Sequence, residues 1–419
     1  MTESSELIFR LAEDRDRTAF INLARLSFVP MMSLAAVAEE FGDRPLNPPY
    51  CQDWVVENAA GSIVGRYSSY QFTLQFAGAL LAMAGVAGVA VGIANRGQGV
   101  AQWMLAEGLR RDREQGTLLS MLYPFRHSFY RKLGWAKAGE AHQYRVSSRH
   151  LPLFPERSQV IAYQPEHQAA LQQVYHDQAM QRNGWIVRQA WRWQEFFQPQ
   201  AGRELYVYQH DGAITGYIVL RFVKLEPDKN DHLAVIVQEW VAATADAYRG
   251  LVGFVGSLRD QVTTIVWNTD LSDPFPHLLL EQERDPSLTL PYFHFPYFRL
   301  FGFTAGGFMW RLVDPKRAIA QRAVQPSPAF DLTMQITDPV FGDEQFTIAV
   351  ADGHLQLSDR PARTILKTSV VQLTQLFTGL RRSRQLHWTG ELELEGEERV
   401  LTALDAAWET PSPFCWDAF

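Results

Sequence analysis

Cysteine is almost missing from this chain: two residues in 419, Cys51 and Cys415, cannot build a disulfide framework or a four-thiolate zinc site. A reducing cytoplasm is the expected location. Positive charge is also in short supply. Lys and Arg number 39 against 46 Asp and Glu, a net charge of −7, so no bulk positive field exists for a polyphosphate backbone and nucleic acid is not an expected partner. The eleven histidines show no H-E-x-x-H spacing, and no metal is expected. G-x-S-x-G and G-x-x-x-x-G-K-[ST] are both lacking, which excludes a serine nucleophile elbow and a P-loop. The start, MTESSELIFRLAEDRDR, has no apolar stretch of the signal-peptide kind. One uncharged run of 18 residues, 77–94, reaches the lower length of a membrane helix. Seven of its residues are Ala and four are Gly, which weakens both transfer into lipid and helix propensity. Two buried strands joined near Gly85 are expected there, and no membrane association.

What the chain does have is apolar side chain enough for ordinary cores, 47% hydrophobic against 20% charged, over a length that suits about three domains. Residues 16–28 read as an amphipathic helix, with Phe20, Leu23, Ala24 and Phe28 on one face. Strands are expected at 53–57 and 62–72, a helix at 98–115 ending at Gly116, and a buried strand at 118–123. The first 150 residues therefore read as a mixed α+β domain. A repeat follows: Gly61-Ser62-Ile63-Val64-Gly65 returns as Gly212-Ala213-Ile214-Thr215-Gly216, with the same order of helix, strand, turn, strand and helix around it. After the aromatic run Tyr292 to Phe303 the pattern changes to alternating strands and the helix VVQLTQLFTGL. The tail PSPFCWDAF is too apolar for a frayed end, so it is expected to be tucked into the protein.

The segment richest in chemistry is GVAVGIANRGQGVAQWMLAEGLRR. A strand through Val89, Ala90 and Val91 runs into the loop Arg96-Gly97-Gln98-Gly99-Val100-Ala101, which opens a helix. Glycines there let backbone N–H groups approach an anion, and a helix start favours a pyrophosphate. By spacing alone, a glycine-rich turn with a solvated arginine fits equally well. In the second copy the corresponding place holds Thr244-Ala245-Asp246-Ala247, a good N-cap with a carboxylate in the first turn. Asp246 would repel a phosphate.

The pattern V-x-V-x-x-x-x-R-x-x-G-x-A leading into a helix resembles motif A of the GNAT N-acetyltransferases. SFYRKLGW and the terminal Phe419 are similar to features of the Eis (enhanced intracellular survival) branch, and VAATADAYRGLVGFVGSL, DPFPHLLL and FMWRLVDPKRAI extend the resemblance over nearly the whole chain. The architecture it implies is α+β: a catalytic GNAT domain at 1–152, a second GNAT-like domain without cofactor at 153–305, and a sterol-carrier-protein-like domain at 306–419. It also implies acetyl-CoA as co-substrate, held by Val89, Ala90, Val91, Arg96, Gly97, Gln98, Gly99, Val100, Ala101, Gln102, Phe125 and Arg126. Tyr130 matches the general acid of that branch, and the terminal carboxylate of Phe419 its general base; a core tyrosine and an ordered tail are the structural alternatives. The expected reaction is acetyl transfer to a small primary amine, aminoglycoside-like, lysine-like or otherwise. Residues 28–38 contain no carboxylate up to Ala38, and only Asp417 in the tail has an acidic side chain, so a less highly charged or more apolar amine stays open. The competing reading is a non-catalytic protein whose third domain binds lipid. Eis-like proteins form hexamers, and the run Tyr292 to Phe303 suits an oligomer contact as well as an internal domain junction.

Overall fold

The computed structural model describes residues 7–224, 233–281 and 302–419. They form two compact units: one contains the chain up to Gly139, Phe308–Ser412 and Asp417–Phe419, the other Glu140–Gly307 and Pro413–Trp416.

In the first unit the chain forms β1 (Ile8–Leu11), α1 (Arg17–Phe28), α2 (Leu34–Phe41), β2 (Cys51–Glu57), β3 (Ile63–Phe76), β4 (Ala79–Val91), α3 (Val100–Glu114), β5 (Leu119–Leu122), α4 (His127–Arg131) and β6 (Ala136–Lys137). The sheet has seven strands, in the order β1, β2, β3, β4, β5, Met309–Leu312, β6. β4 and β5 are parallel, from Met83 against Leu119 to Val86 against Leu122. Residues 77–94 thus hold one long strand, and Gly85 lies in its middle, paired with Tyr70 and Met121. The expected turn is absent because Gly78 (φ +78°), following Ala77 (φ +45°), already supplies the hairpin between β3 and β4.

Alternation of side chains puts Gly65, Tyr67 and Ser69 of β3 against α3, and Arg66, Ser68, Tyr70 and Phe72 on the face that carries α1. Gly65 meets Met104 and Val100 of α3, and a methyl at Gly108 would overlap the Tyr67 hydroxyl. Arg66 lies over the ring of Phe20, 3.7 Å from its centroid.

The second unit repeats this plan. Its sheet runs Gly302–Gly306, Glu140–Ser147, Val262–Thr269, Leu233–Ala242, Ala213–Lys224, Arg203–His210, Val160–Ala162. Leu233–Ala242 and Val262–Thr269 are its parallel pair, and Gly216 lies under Ala247 of the helix Ala245–Ser257 as Gly65 lies under α3. In each sheet the strand beside the parallel pair comes from beyond the expected boundary. Glu140–Ser147 pairs with Val262–Thr269, and Met309–Leu312 pairs with β5. The two compact units are therefore not continuous stretches of sequence: the chain has left the first unit by Glu140 and is back in it by Phe308. Neither segment carries a local sign of which sheet takes it.

The remainder of the first unit is a five-stranded sheet, His354–Ser358, Glu344–Ala351, Phe330–Thr337, Ile365–Ser369, Leu392–Glu395, with the helices Pro315–Gln321, Val370–Phe377, Ser383–Trp388 and Arg399–Ala407. Arg311 forms a fully buried bidentate pair with Asp338, 2.7 and 3.1 Å. Of the aromatic run Tyr292 to Phe303, only Gly302 and Phe303 fall within the described residues.

Candidate active site

Parallel pairing of β4 with β5 stops at Val86 and Leu122, while β4 continues to Val91. The two strands part, and the N–H and C=O groups of β4 beyond that point have lost their β5 partner. A bulge sits at the same place: Arg66 pairs with Ala90 and Ser68 with Ala87, so Gly88 and Val89 both stand opposite Tyr67. Gly88 accommodates it with φ +60°. The extra residue reverses the alternation, so that Val89 and Val91 pack with the cluster around Met104 instead of the α1 face.

After a 3-10 turn the chain reaches Gly97 and Gly99, at φ +79° and +83°. A Cβ at either would meet no atom within 4 Å, so the space above them is open. Gly99 is the N-cap of α3, and neither a capping side chain nor an acidic residue occupies its first turn. The N–H groups of Val100, Ala101 and Gln102 thus form an uncapped positive helix end. Arg96 is exposed beside them, and Gln98 donates to the Ala94 carbonyl at 3.1 Å. Val100 contributes only its backbone, because its side chain is buried beneath Gly65. Phe125 and Arg126 follow β5 on the exposed surface, and the Phe125 ring lies 5.4 Å from that of Tyr130.

Tyr130 belongs to the α3-side cluster, with Trp135 and Phe129 edge-on at 6.0 and 5.1 Å. Its hydroxyl makes no hydrogen bond to any described residue, and burial alone pushes its pKa up to about 12. It therefore stays protonated throughout the neutral range. Phe419 lies on the opposite face of β4. Its ring fills the space Gly85 leaves, where a Cβ would sit 2.8 Å from ring carbons of both Phe419 and Phe72, and it stacks on Phe308 at 5.7 Å. The last residue of the chain is thus held at the point where β4 and β5 begin to part.

The sequence matches the acetyltransferase (GNAT) domain families at residues 9–138 and 184–300, and the sterol carrier protein domain family at 315–416. The protein is a GNAT acyltransferase with an Eis-like domain order. Solved structures agree in fold over the whole length. A GCN5-related N-acetyltransferase from Anabaena variabilis superposes with a TM-score of 0.83 at 20% identity, covering 99% of this chain and 100% of that one. One from Kribbella flavida gives 0.76 at 22%, covering 99% and 98%. Eis1 from Mycobacterium abscessus gives 0.75 at 20%, covering 99% and 100%. No curated protein matches by sequence.

GNAT domains generally use acetyl-CoA, and the two GNAT domains here differ in their fitness for it. The first offers parted strands, open glycines and a free helix end. In the second, Thr244 caps the helix by accepting from the Ala247 N–H at 3.1 Å, and Asp246 in the first turn pairs with Arg249. Its parallel strands also part, after Val237 and Trp267, but the next stretch is occupied from within: Arg188 clamps Glu239 at 2.9 and 2.6 Å, and the Tyr217 hydroxyl donates to the same carboxylate. Beside the sterol-carrier-like part, a cavity of about 520 Å³ has a mixed lining, with Arg131, Lys132, Asp338 and Asp343 alongside Val370 and Val371.

The residues that sequence reasoning missed are Gly85, the seat of Phe419, and the Arg66–Gly88 pair at the bulge. Glycine inside an otherwise apolar strand was the available signal.

Proposed function

We propose that the first GNAT domain transfers an acetyl group from acetyl-CoA to a primary amine in a single step, with both substrates bound together. The observation that carries this reading is the glycine loop and uncapped start of α3, set directly after the point where β4 leaves β5. The N–H groups of Val100 to Gln102, with Arg96, would hold the pyrophosphate. The strand Val89 to Val91 would hold the thioester arm, whose carbonyl supplies the acetyl group, and its N–H groups would stabilise the oxyanion.

Tyr130 and Phe419 flank β4 on opposite faces, which suits two substrates meeting from two sides. The amine nitrogen bonds to the acetyl carbon as the carbon–sulfur bond breaks. The amine's proton passes to the Phe419 carboxylate, directly or through water, and the Tyr130 hydroxyl protonates the departing thiolate. The second GNAT domain and the sterol-carrier-like part act as scaffold in this reading, the latter by presenting Phe419. Assembly into a homo-oligomer is part of the proposal, and light scattering showing a monomer at micromolar concentration would remove it.

Calorimetric titration with acetyl-CoA, followed by thiol release over a panel of amines, tests the reaction. One acetyl-CoA per chain and release dependent on an amine are expected. A chain whose melting temperature is unmoved by millimolar acetyl-CoA would overturn the reading.

A further inference from the structure

Arg66 is a buried cation with too few partners. Its residue is 5% exposed, and its one hydrogen bond to a described residue runs from Nη2 to the Ser68 hydroxyl at 3.0 Å. Nε is buried with no partner. No carboxylate touches it: Asp53 is reached only through Ser68, which donates to it at 2.6 Å. That carboxylate is already committed, accepting from Arg44 at 3.0 and 3.4 Å and from the Asn47 N–H at 3.0 Å. Burial of an ionised guanidinium costs free energy that neighbours must offset. The Phe20 ring, 3.7 Å below, and the charge of Asp53 behind Ser68 offset part of it, and desolvation still brings the Arg66 pKa down to about 10.

The position of this cation bears on the reaction. A methyl at Gly88 would overlap Nη2, so the guanidinium rests on the bulge itself, immediately before Val89. Arg66, Ser68, Tyr70 and Phe72 share one face of β3, and Phe419 packs on the last two, with ring centroids 6.3 and 5.1 Å away. The row therefore leads from the terminal carboxylate to an under-paired cation along the face on which the amine would approach. A dicationic acceptor meets a positive charge there. An acceptor with an anionic group meets its complement, and a planar carboxylate matches the fork of an arginine.

We infer that Arg66 is a specificity-determining residue that binds a carboxylate of the acceptor, which makes the acceptor an amine carrying a carboxylate a few bonds from its nitrogen, as in an amino acid. This rests on the acetyl-transfer reading above, and the two can fail separately. The full chain with acetyl-CoA is offered matched pairs, L-phenylalanine against phenethylamine and L-lysine against cadaverine, with thiol release as the readout. The wild type should favour the carboxylated member by about 100-fold in kcat/KM. Arg66→Met should bring that ratio to within about tenfold by raising KM, with acetyl-CoA affinity unchanged, and Arg66→Lys should fall between them. A wild type that acetylates the decarboxylated amines equally well, or acetylates neither member of each pair, overturns the inference. So does an Arg66→Met protein that keeps the full ratio. If the variants do not fold, the wild-type ratio decides alone. If acetyl-CoA does not bind at all, the acetyl-transfer reading falls, and this inference with it.

Discussion

The two GNAT domains share a sheet order, a parallel strand pair and a glycine that lets a helix settle on the sheet, yet they differ wherever a ligand would need room. At the start of α3 the first has Gly99, Val100 and Ala101; the second has Thr244, Ala245 and Asp246 in the same places. Past the parting of the strands, the first has the open edge of β4 and the second has Glu239 held by Arg188. Polar groups left unsatisfied in one copy are satisfied by the chain itself in the other. A fold duplicated within one chain can thus keep its packing in both halves and leave room at the helix start in one.

The strongest test of this asymmetry is catalytic. Tyr130→Phe, and a single glycine added after Phe419, should each lower turnover by about 10² to 10⁴ with acetyl-CoA binding retained. The added residue moves the terminal charge about 3.5 Å and places an amide where the carboxylate was. Full activity in the extended chain would return Phe419 to a packing role.

Next in size is the loss of the internal clamp. Arg188→Met leaves Glu239 buried without its cation and should destabilise the second unit by about 3 to 5 kcal/mol in denaturant unfolding. Activity at low temperature should persist. Loss of acetyl-CoA binding in a folded Arg188→Met protein would mean that the second copy has a ligand role.

A third difference is on the sheet-facing side of the two helices. Asp112, on α3, is buried with Ser69 3.5 Å away, and its pKa is raised to about 7 by desolvation; the exposed Ser257 ends the equivalent helix. The folded state holds a proton that the unfolded chain releases near pH 4. Stability should therefore fall as pH rises from about 4 to about 7, by about 2 to 4 kcal/mol, and level off above. Asp112→Asn should flatten that slope. An unchanged pH profile of unfolding in the variant would assign it to another group.

The smallest expected effect comes from making the first copy resemble the second. Ala101→Asp should weaken acetyl-CoA by about 10- to 100-fold in calorimetry and leave the melting temperature of the free protein nearly unchanged. The reverse change, Asp246→Ala, should create no second site. A stoichiometry of two in either protein would break the comparison.

Much of the site was legible in the sequence because its signals are local. Gly97 and Gly99 announce positive φ, their spacing before an apolar-periodic run announces a helix start, and Thr244 with Asp246 announces a capped one. Helix and strand positions followed from periodicity to within a few residues, as at α3 and β5. The stretch 77–94 was misread because glycine in a strand has two meanings, a turn or a close approach. Gly85 is the second, and the approaching group is 334 residues away in the chain.

By itself, the sequence determined elements such as α3 and β5, the repeat, and which copy has a free helix end, since backbone conformation and capping depend on neighbours a few residues apart. Only the tertiary structure decided which sheet takes Glu140–Ser147 and Met309–Leu312, where Phe419 comes to rest, and that Arg66 is buried on Gly88 without a carboxylate in contact. Those are outcomes of long-range register and burial, in which the free energy of a strand or a charge depends on partners that no local pattern identifies.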